Sequence, residues 1–356
     1  MASRATSLTM PAELPPATLR LSIDREALAA NWRALDRLSG QAAAGAAVKA
    51  DAYGLGVAVA APVLRDAGCR DFFVAHWQEV PPLLDHVLAS SVAVLHGPVT
   101  AADAAFAKAS GVRPVINSLH QARLWLEAGG GVCDVMVDTG INRIGLGLAD
   151  LADPVLGQLQ IDVLHSHLAS ADEDSALNAA QQNRWNAARG IVQHSRASLA
   201  NSAGIVLGTA YHGDLTRPGL ALYGGVPCAA LASEIRQVAA PEAALVQVRQ
   251  IAAGESVGYN ATFVAQQAMR IGVVSLGYAD GYLRAWSGKG MLRSMGRPVP
   301  VLGRVSMDMT VVDLTAAPDL REGDWLTADY SLPDAAAATG LSQYELLTVL
   351  GLRFAR

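Results

Sequence analysis

Between about residues 25 and 225, short apolar runs alternate with stretches whose apolar positions recur at the helical period. The runs at 46–50, 71–75, 92–96, 113–117, 133–138, 162–168, 204–208 and 220–224 predict strands. Residues 25–38, 119–128 and 173–194 predict helices among them. Eight such repeats in about 200 residues is the spacing of a (β/α)8 barrel of the TIM type. A doubly wound sheet is the alternative. Chemistry on such a barrel sits at the C-terminal ends of its strands, and Lys49, Asp138, His167 and Leu220 fall there.

After Cys228 the pattern changes. Residues 246–251, 269–277, 298–309 and 325–330 are strand-like, Gly-rich turns separate them, and a helical period returns only at 343–351. The pattern predicts a barrel domain over 19–230 and a mainly β C-terminal domain over 235–356. The alternating segment 19–24 is expected to pair with the β domain. Residues 1–18 mix Ser, Thr, Pro and Ala without a continuous apolar core, which predicts a disordered tail and neither a secretory signal nor a membrane span.

Composition narrows the function classes. The chain has 356 residues, 51% of them hydrophobic and 17% charged, with a net charge of −5. No basic cluster offers a footprint for nucleic acid or a membrane surface, so small-molecule chemistry is the default. Cys69, Cys133 and Cys228 are odd in number and far apart, which argues against a disulfide framework and for a reducing, cytoplasmic setting.

Lys49 closes the apolar run Ala46-Ala47-Val48. An ammonium there is partly desolvated, which lowers its pKa and frees the amine as a nucleophile or Schiff-base partner. A snorkelling strand-end lysine is the structural alternative. Tyr53, Gly54 and Gly56 follow, giving a hydroxyl and a backbone that a ligand can approach closely. Ser202 and the amides of Gly219 and Leu220 can serve an anion. His165 and His167 would share one strand face, but no further Cys or His cluster completes a metal site, and none is expected.

Together, Val48-Lys49-Ala50-Asp51-Ala52-Tyr53-Gly54, Asn201-Ser202-Ala203, Thr216-Arg217-Pro218-Gly219-Leu220 and Gly277-Tyr278-Ala279-Asp280-Gly281 resemble the alanine racemase family, and the resemblance runs from Leu19 to Arg353. It implies pyridoxal 5'-phosphate as cofactor, carried by Lys49, with its phosphate near Tyr53, Ser202, Gly219 and Leu220. Arg217 would face the pyridine nitrogen and His167 would pack near the ring and bond Arg217. A guanidinium has no acceptor to offer, so the nitrogen stays unprotonated and the ring withdraws fewer electrons, which favours reprotonation at Cα. Lys49 and Tyr278 would be the two bases on opposite faces of Cα. Tyr278, Met307 and Asp308 would come from the partner subunit of a homodimer, with Met307 and Asp308 beside the substrate carboxylate and Arg143 near it. The activity implied is interconversion of L- and D-alanine, for peptidoglycan or for catabolism.

Two departures stand out. Seven residues before Arg143 the family usually has a lysine that orients the guanidinium through a negative group, and here the residue is Met136. Leu352 stands where a polar side chain is expected at the cofactor edge. Both keep a broader-specificity racemase in view. A cofactor carrier built on the barrel alone is disfavoured by the second domain, and a basic amino-acid decarboxylase by Arg217.

Overall fold

The computed structural model describes residues 14–356, so residues 1–13 of the expected tail lie outside the described residues. Strand β1 (Leu19–Ile23) leads into helix Arg25–Leu38. Asp24 caps that helix by accepting from the Ala27 amide, and Leu28, Asn31, Trp32 and Leu35 form its buried stripe. The barrel strands follow as β2 (Ala43–Ala44), β3 (Ala46–Ala47), β4 (Phe72–Val74), β5 (Val92–Val94), β6 (Arg113–Ile116), β7 (Val132–Met136), β8 (Gln160–His165), β9 (Arg196–Ser198) and β10 (Leu215–Thr216). Strands β3 to β9 form one parallel sheet in chain order, and β10 pairs with β2 to close the circuit. The architecture is a TIM-type (β/α) barrel. β2 and β3 are halves of one barrel strand bent at Gly45, where a Cβ would sit 2.8 Å from the Phe73 ring and 2.9 Å from the Asp71 carbonyl oxygen.

Two expected strands are not strands. Residues Gly204–Leu207 and Leu220–Tyr223 are 3-10 turns, and the last two barrel strands are β9 and β10, a few residues upstream of each. β9 is polar because Arg196 and Ser198 face an interior that holds charges, and in the two-residue β10 Leu215 faces that interior while Thr216 bonds Ser39 at 2.8 Å on the helix side. Arg-Ala-Ser and Leu-Thr therefore carry no apolar signal, while the buried turns beyond them do.

Those charges form one network at the base of the barrel. Arg113 Nε lies 3.2 Å from Asp134 Oδ1 and its Nη2 lies 3.2 Å from Asp71 Oδ1. Arg196 donates to Asp71 at 2.9 and 3.0 Å and to Asp162 at 2.7 Å. Asp71, Arg113 and Asp134 are buried, so each charge depends on its partners for the solvation it has lost.

The second domain is antiparallel. It comprises β11 (Ala239–Ile251), the hairpin β12 (Ser256–Val257) and β13 (Phe263–Val264), then β14 (Met269–Val274), β15 (Met291–Ser294), β16 (Arg297–Leu302), β17 (Thr310–Asp313) and β18 (Trp325–Ala328). The order β11-β14-β17-β16-β15-β18 closes because β18 also pairs with β11. β1 joins this sheet, in register from Leu19↔Ala243 to Ile23↔Ala239. The expected strand at 298–309 is a strand only as far as Leu302 and a loop from there on. Gly303 turns the chain out of the sheet at φ +63°, and pairing resumes at Thr310.

Arg113→Ala leaves Asp71 and Asp134 short of a counter-charge in the barrel interior. The expected loss is about 3–5 kcal/mol of stability, as for other broken buried pairs. Urea unfolding of wild type and variant measures it, and a difference below about 1 kcal/mol contradicts the role given to the network.

Candidate active site

The strand expected at 46–50 stops at Ala47, and Lys49 opens a turn of unusual hand. Ala50, Asp51, Ala52 and Tyr53 have φ of 53°, 51°, 54° and 57°, all left-handed and none glycine. Glu79 holds the turn, one carboxylate oxygen accepting from the Ala50 amide at 2.5 Å and the other from Ala75 and His76 at 2.7 and 2.9 Å. Asp51 accepts from the Val57 amide at 2.7 Å. The turn brings Tyr53 to the same cavity as Lys49, its ring stacked on Tyr223 at 4.8 Å between centroids.

Lys49 projects into a cavity of about 680 Å³ at the C-terminal mouth of the barrel. Tyr53, Arg143, His167, Ser202, Arg217, Gly219 and Leu220 line the same cavity. Burial lowers the Lys49 pKa, and the cations of Arg143 and Arg217 add to the effect while Glu79 opposes it. Burial and the same arginines lower His167 to about 3, so it is neutral. Ser202 Oγ accepts from the amides of Gly219 at 2.9 Å and Ala221 at 3.3 Å. A Cβ at Gly219 would overlap the Tyr53 hydroxyl, so the glycine is what admits that hydroxyl to the cradle.

Arg217 is buried, and its pKa falls to about 10 through desolvation, which leaves it charged at neutral pH. It donates to the Ser198 hydroxyl, the Ser166 carbonyl and, at 3.3 Å, to Nδ1 of His165. The resemblance gave His167 as the imidazole that bonds this arginine, and the structure gives His165. β8 ends at His165, whose side chain points along the barrel interior, whereas His167 lies in the loop beyond and faces the cavity.

Asp138 binds the loop that carries Arg143, accepting from the amides of Gly140, Ile141 and Asn142 on one oxygen and from Arg143 on the other. Met136 is buried at the cavity wall among Phe73, Ala93, Val115, Val163 and Leu215, and it offers the guanidinium no anion. Leu352 is elsewhere. It is 85% exposed and does not line the cavity, while Tyr344, on helix Gln343–Thr348, supplies a phenol to that wall.

Tyr278, Met307 and Asp308 do not line this cavity. They form one unit on the β domain. The Tyr278 amide donates to Ser306 at 3.0 Å, the Ala279 amide donates to Met307 at 2.9 Å, and a Cβ at Gly277 would overlap the Met307 backbone. Arg353 ties the unit together, donating to Asp280 at 2.7 Å and Asp308 at 2.8 Å. Met307 and Asp308 are exposed.

Residues 23–227 match the alanine racemase N-terminal domain and residues 238–356 the alanine racemase C-terminal domain. The chain belongs to the alanine racemase family. A biosynthetic alanine racemase of Agrobacterium fabrum is 40% identical over 96% of this chain and 93% of its own. The catabolic alanine racemase of the same organism is 38% identical over 94% and 91%. The crystal structure of the Bartonella henselae alanine racemase, which has covalently bound pyridoxal phosphate, superposes with a TM-score of 0.87 at 33% identity, over 96% of this chain and 99% of that one.

Sequence reasoning missed Glu79, His165 as the partner of Arg217, and Tyr344. A signal existed for the second, because Asp134 is a carboxylate inside the apolar run Val132–Met136 and had to be paired. Among the described residues no group of three or more His, Cys, Asp or Glu side chains is arranged to hold a metal ion. No helix among them is long and apolar enough to cross a membrane.

Burial keeps His165 neutral down to about 4 and His167 down to about 3, against an ordinary value near 6.5. Both folded values are depressed, so the unfolded chain binds more protons and stability present above pH 6.5 is lost as pH falls towards 4. The urea midpoint at pH 5 is expected to lie below that at pH 7, and equal midpoints contradict the two neutral imidazoles.

Proposed function

We propose that this chain is an alanine racemase that carries pyridoxal 5'-phosphate on Lys49 and works as a homodimer, with each cavity completed by Tyr278 of a second copy. The observation that carries the reading is a desolvated Lys49 amine sharing one cavity with Arg217 and the Ser202–Gly219 cradle. The donor set suits the cofactor: an amine for its aldehyde, the hydroxyls of Tyr53 and Ser202 and the Leu220 amide for its phosphate where Gly219 leaves the backbone open, and the Arg217 cation for its ring nitrogen. When bound, the cofactor supplies a conjugated ring that withdraws electrons from Cα of an amino acid.

The protein's own groups do the rest. Lys49 Nζ, with its lowered pKa, is suited to take a proton from one face of Cα and return it. Tyr278 Oη of the second copy faces the other side. Arg217 has no lone pair to accept with and opposes a second positive charge nearby, so it restrains electron withdrawal and favours return of the proton over other fates. Arg143 and the Met307 amide orient the substrate carboxylate, with Asp308 beside them. Support for the two-copy arrangement is that the rigid Tyr278–Met307 unit is absent from its own chain's cavity and leaves Met307 53% exposed. The role is D-alanine supply for peptidoglycan or alanine catabolism in the cytoplasm. Within one chain's cavity the case for a broader-specificity racemase rests on Met136, and a panel of L-amino acids tests it.

Lys49→Ala is expected to lose the visible band of the bound cofactor and, with a base gone, racemisation by roughly 10²–10⁴-fold. Tyr278→Phe is expected to keep the band and to exchange the α-proton of only one enantiomer in deuterium oxide. Wild-type exchange of both by Tyr278→Phe overturns the two-base assignment. Met136→Lys, which returns the family's usual side chain and, once its amine is carbamylated by dissolved carbon dioxide, would set an anion beside Arg143, is expected to lower KM for alanine by about tenfold, the worth of one charge-assisted bond. Unchanged kinetics exclude that role for position 136.

A further inference from the structure

Among the described residues Arg217 has no carboxylate in contact with it although it is buried. The nearest negative charge reaches it through one side chain. His165 Nδ1 lies 3.3 Å from Arg217 Nη1, and on the far side of the ring Nε2 lies 3.1 Å from Asp134 Oδ2. Neither His165 nor Asp134 has any solvent exposure. Geometry fixes the tautomer. A guanidinium only donates, so Nδ1 is the bare nitrogen and the ring proton sits on Nε2, donated to Asp134. Asp134 Oδ1 is held in turn by Arg113 Nε at 3.2 Å and the Val163 amide at 3.2 Å, and Phe73 meets the imidazole edge-on at 5.7 Å between centroids.

The imidazole therefore has one orientation, set from the base of the barrel. Among the described residues it is the only partner of Arg217 that conveys a carboxylate's charge, because the other two are a hydroxyl and a carbonyl. We propose that His165, oriented by Asp134, is a positioning residue that holds the Arg217 guanidinium in place opposite the cofactor ring. This rests on the function proposed above. Its consequence is that the electronic tuning assigned to Arg217 depends on a residue that touches neither cofactor nor substrate.

Two substitutions separate the nitrogens. In His165→Gln the side-chain amide can occupy the Nε2 position and still donate to Asp134, but nothing accepts at the Nδ1 position. In His165→Asn an oxygen can take the place of Nδ1 and accept from Arg217, while the bond to Asp134 is lost. The readouts are the visible band of bound pyridoxal phosphate, its dissociation constant by equilibrium dialysis, and kcat and KM for L-alanine. His165→Gln is expected to shift the band, weaken cofactor binding and lower kcat, each of the last two by about tenfold, the worth of one charge-assisted bond, with KM nearly unchanged. His165→Asn, which keeps an acceptor for Arg217 but not the link to Asp134, is expected to recover part of the band shift, affinity and kcat, the remaining deficit measuring what Asp134 supplies. A merely structural role would lower the melting temperature of both without moving the band. A folded His165→Gln with wild-type band, affinity and kcat overturns the proposal, as does a His165→Asn no better than it. If His165→Gln does not fold, His165→Leu is read by the same criteria. Wild-type protein that takes up no pyridoxal phosphate and racemises nothing defeats the functional reading itself, and the proposal with it. Wild type that does both, beside an unaffected His165→Gln, defeats the proposal alone.

Discussion

Four consecutive L-residues held in the left-handed region set the geometry of the site. At about 1–2 kcal/mol each, the turn Ala50–Tyr53 costs roughly 4–8 kcal/mol, comparable to a domain's net stability. Its surroundings offset that cost. Glu79 spans the turn and the end of β4, Gly54 donates back to Ala50 at 2.8 Å, Gly56 donates to Asp51 at 2.9 Å, and Tyr53 is buried against Tyr223. Glycines would make the turn without strain, but a glycine at 53 has no hydroxyl. The strain is the consequence of requiring an amine and a phenol in the same cavity four residues apart, on a chain that must reverse at once.

The barrel meets a second constraint along its axis. An apolar interior would pack well, yet this one contains Arg113, Asp134, His165 and Arg217 in an unbroken line from the base to the cavity, with Asp71, Asp162 and Arg196 balancing the lower end. A buried cation beneath the cavity cannot stand alone, and a carboxylate placed directly against it would cancel the field it projects. Spacing the two with a neutral imidazole keeps a positive end at the top and a satisfied anion below.

Much of this was legible in the sequence wherever one physical signal dominated. Helix Arg25–Leu38 shows its period and its Asp24 cap, and Lys49 is conspicuous because a charge closes an apolar run. β9 was hidden by the same polar column, since a strand that carries Arg196 and Ser198 inward does not read as core, and β10 by being two residues long with only Leu215 facing inward. The choice between His165 and His167 turned on where β8 ends, which periodicity does not locate to within two residues. Leu352 does not reach its own chain's cavity, because helix Gln343–Thr348 puts Tyr344 at the wall and leaves the following loop outside. The left-handed turn had no signal, because propensity alone argues against it at Ala50, Asp51, Ala52 and Tyr53.

The β domain serves the barrel in two directions. Towards its own chain it buttresses the strained turn: a Cβ at Gly54 would sit 2.5 Å from the Leu347 carbonyl oxygen, Arg356 donates to the Gly54 carbonyl at 2.8 Å, and Gln343 makes paired bonds with Val226 at 2.8 and 2.9 Å. Away from it, Asp280 accepts from the Gly277 amide at 2.9 Å and from Arg353, which stiffens the loop bearing Tyr278. Under the proposed function both proton-handling groups are therefore carried on braced loops rather than mobile ones. Lys49 is braced by the β domain of its own chain and Tyr278 by the β domain that bears it, so the distance between them is set by how two copies meet. A base pair built this way gains its opposed faces from symmetry, and no single barrel mouth has to place two groups on both sides of one carbon.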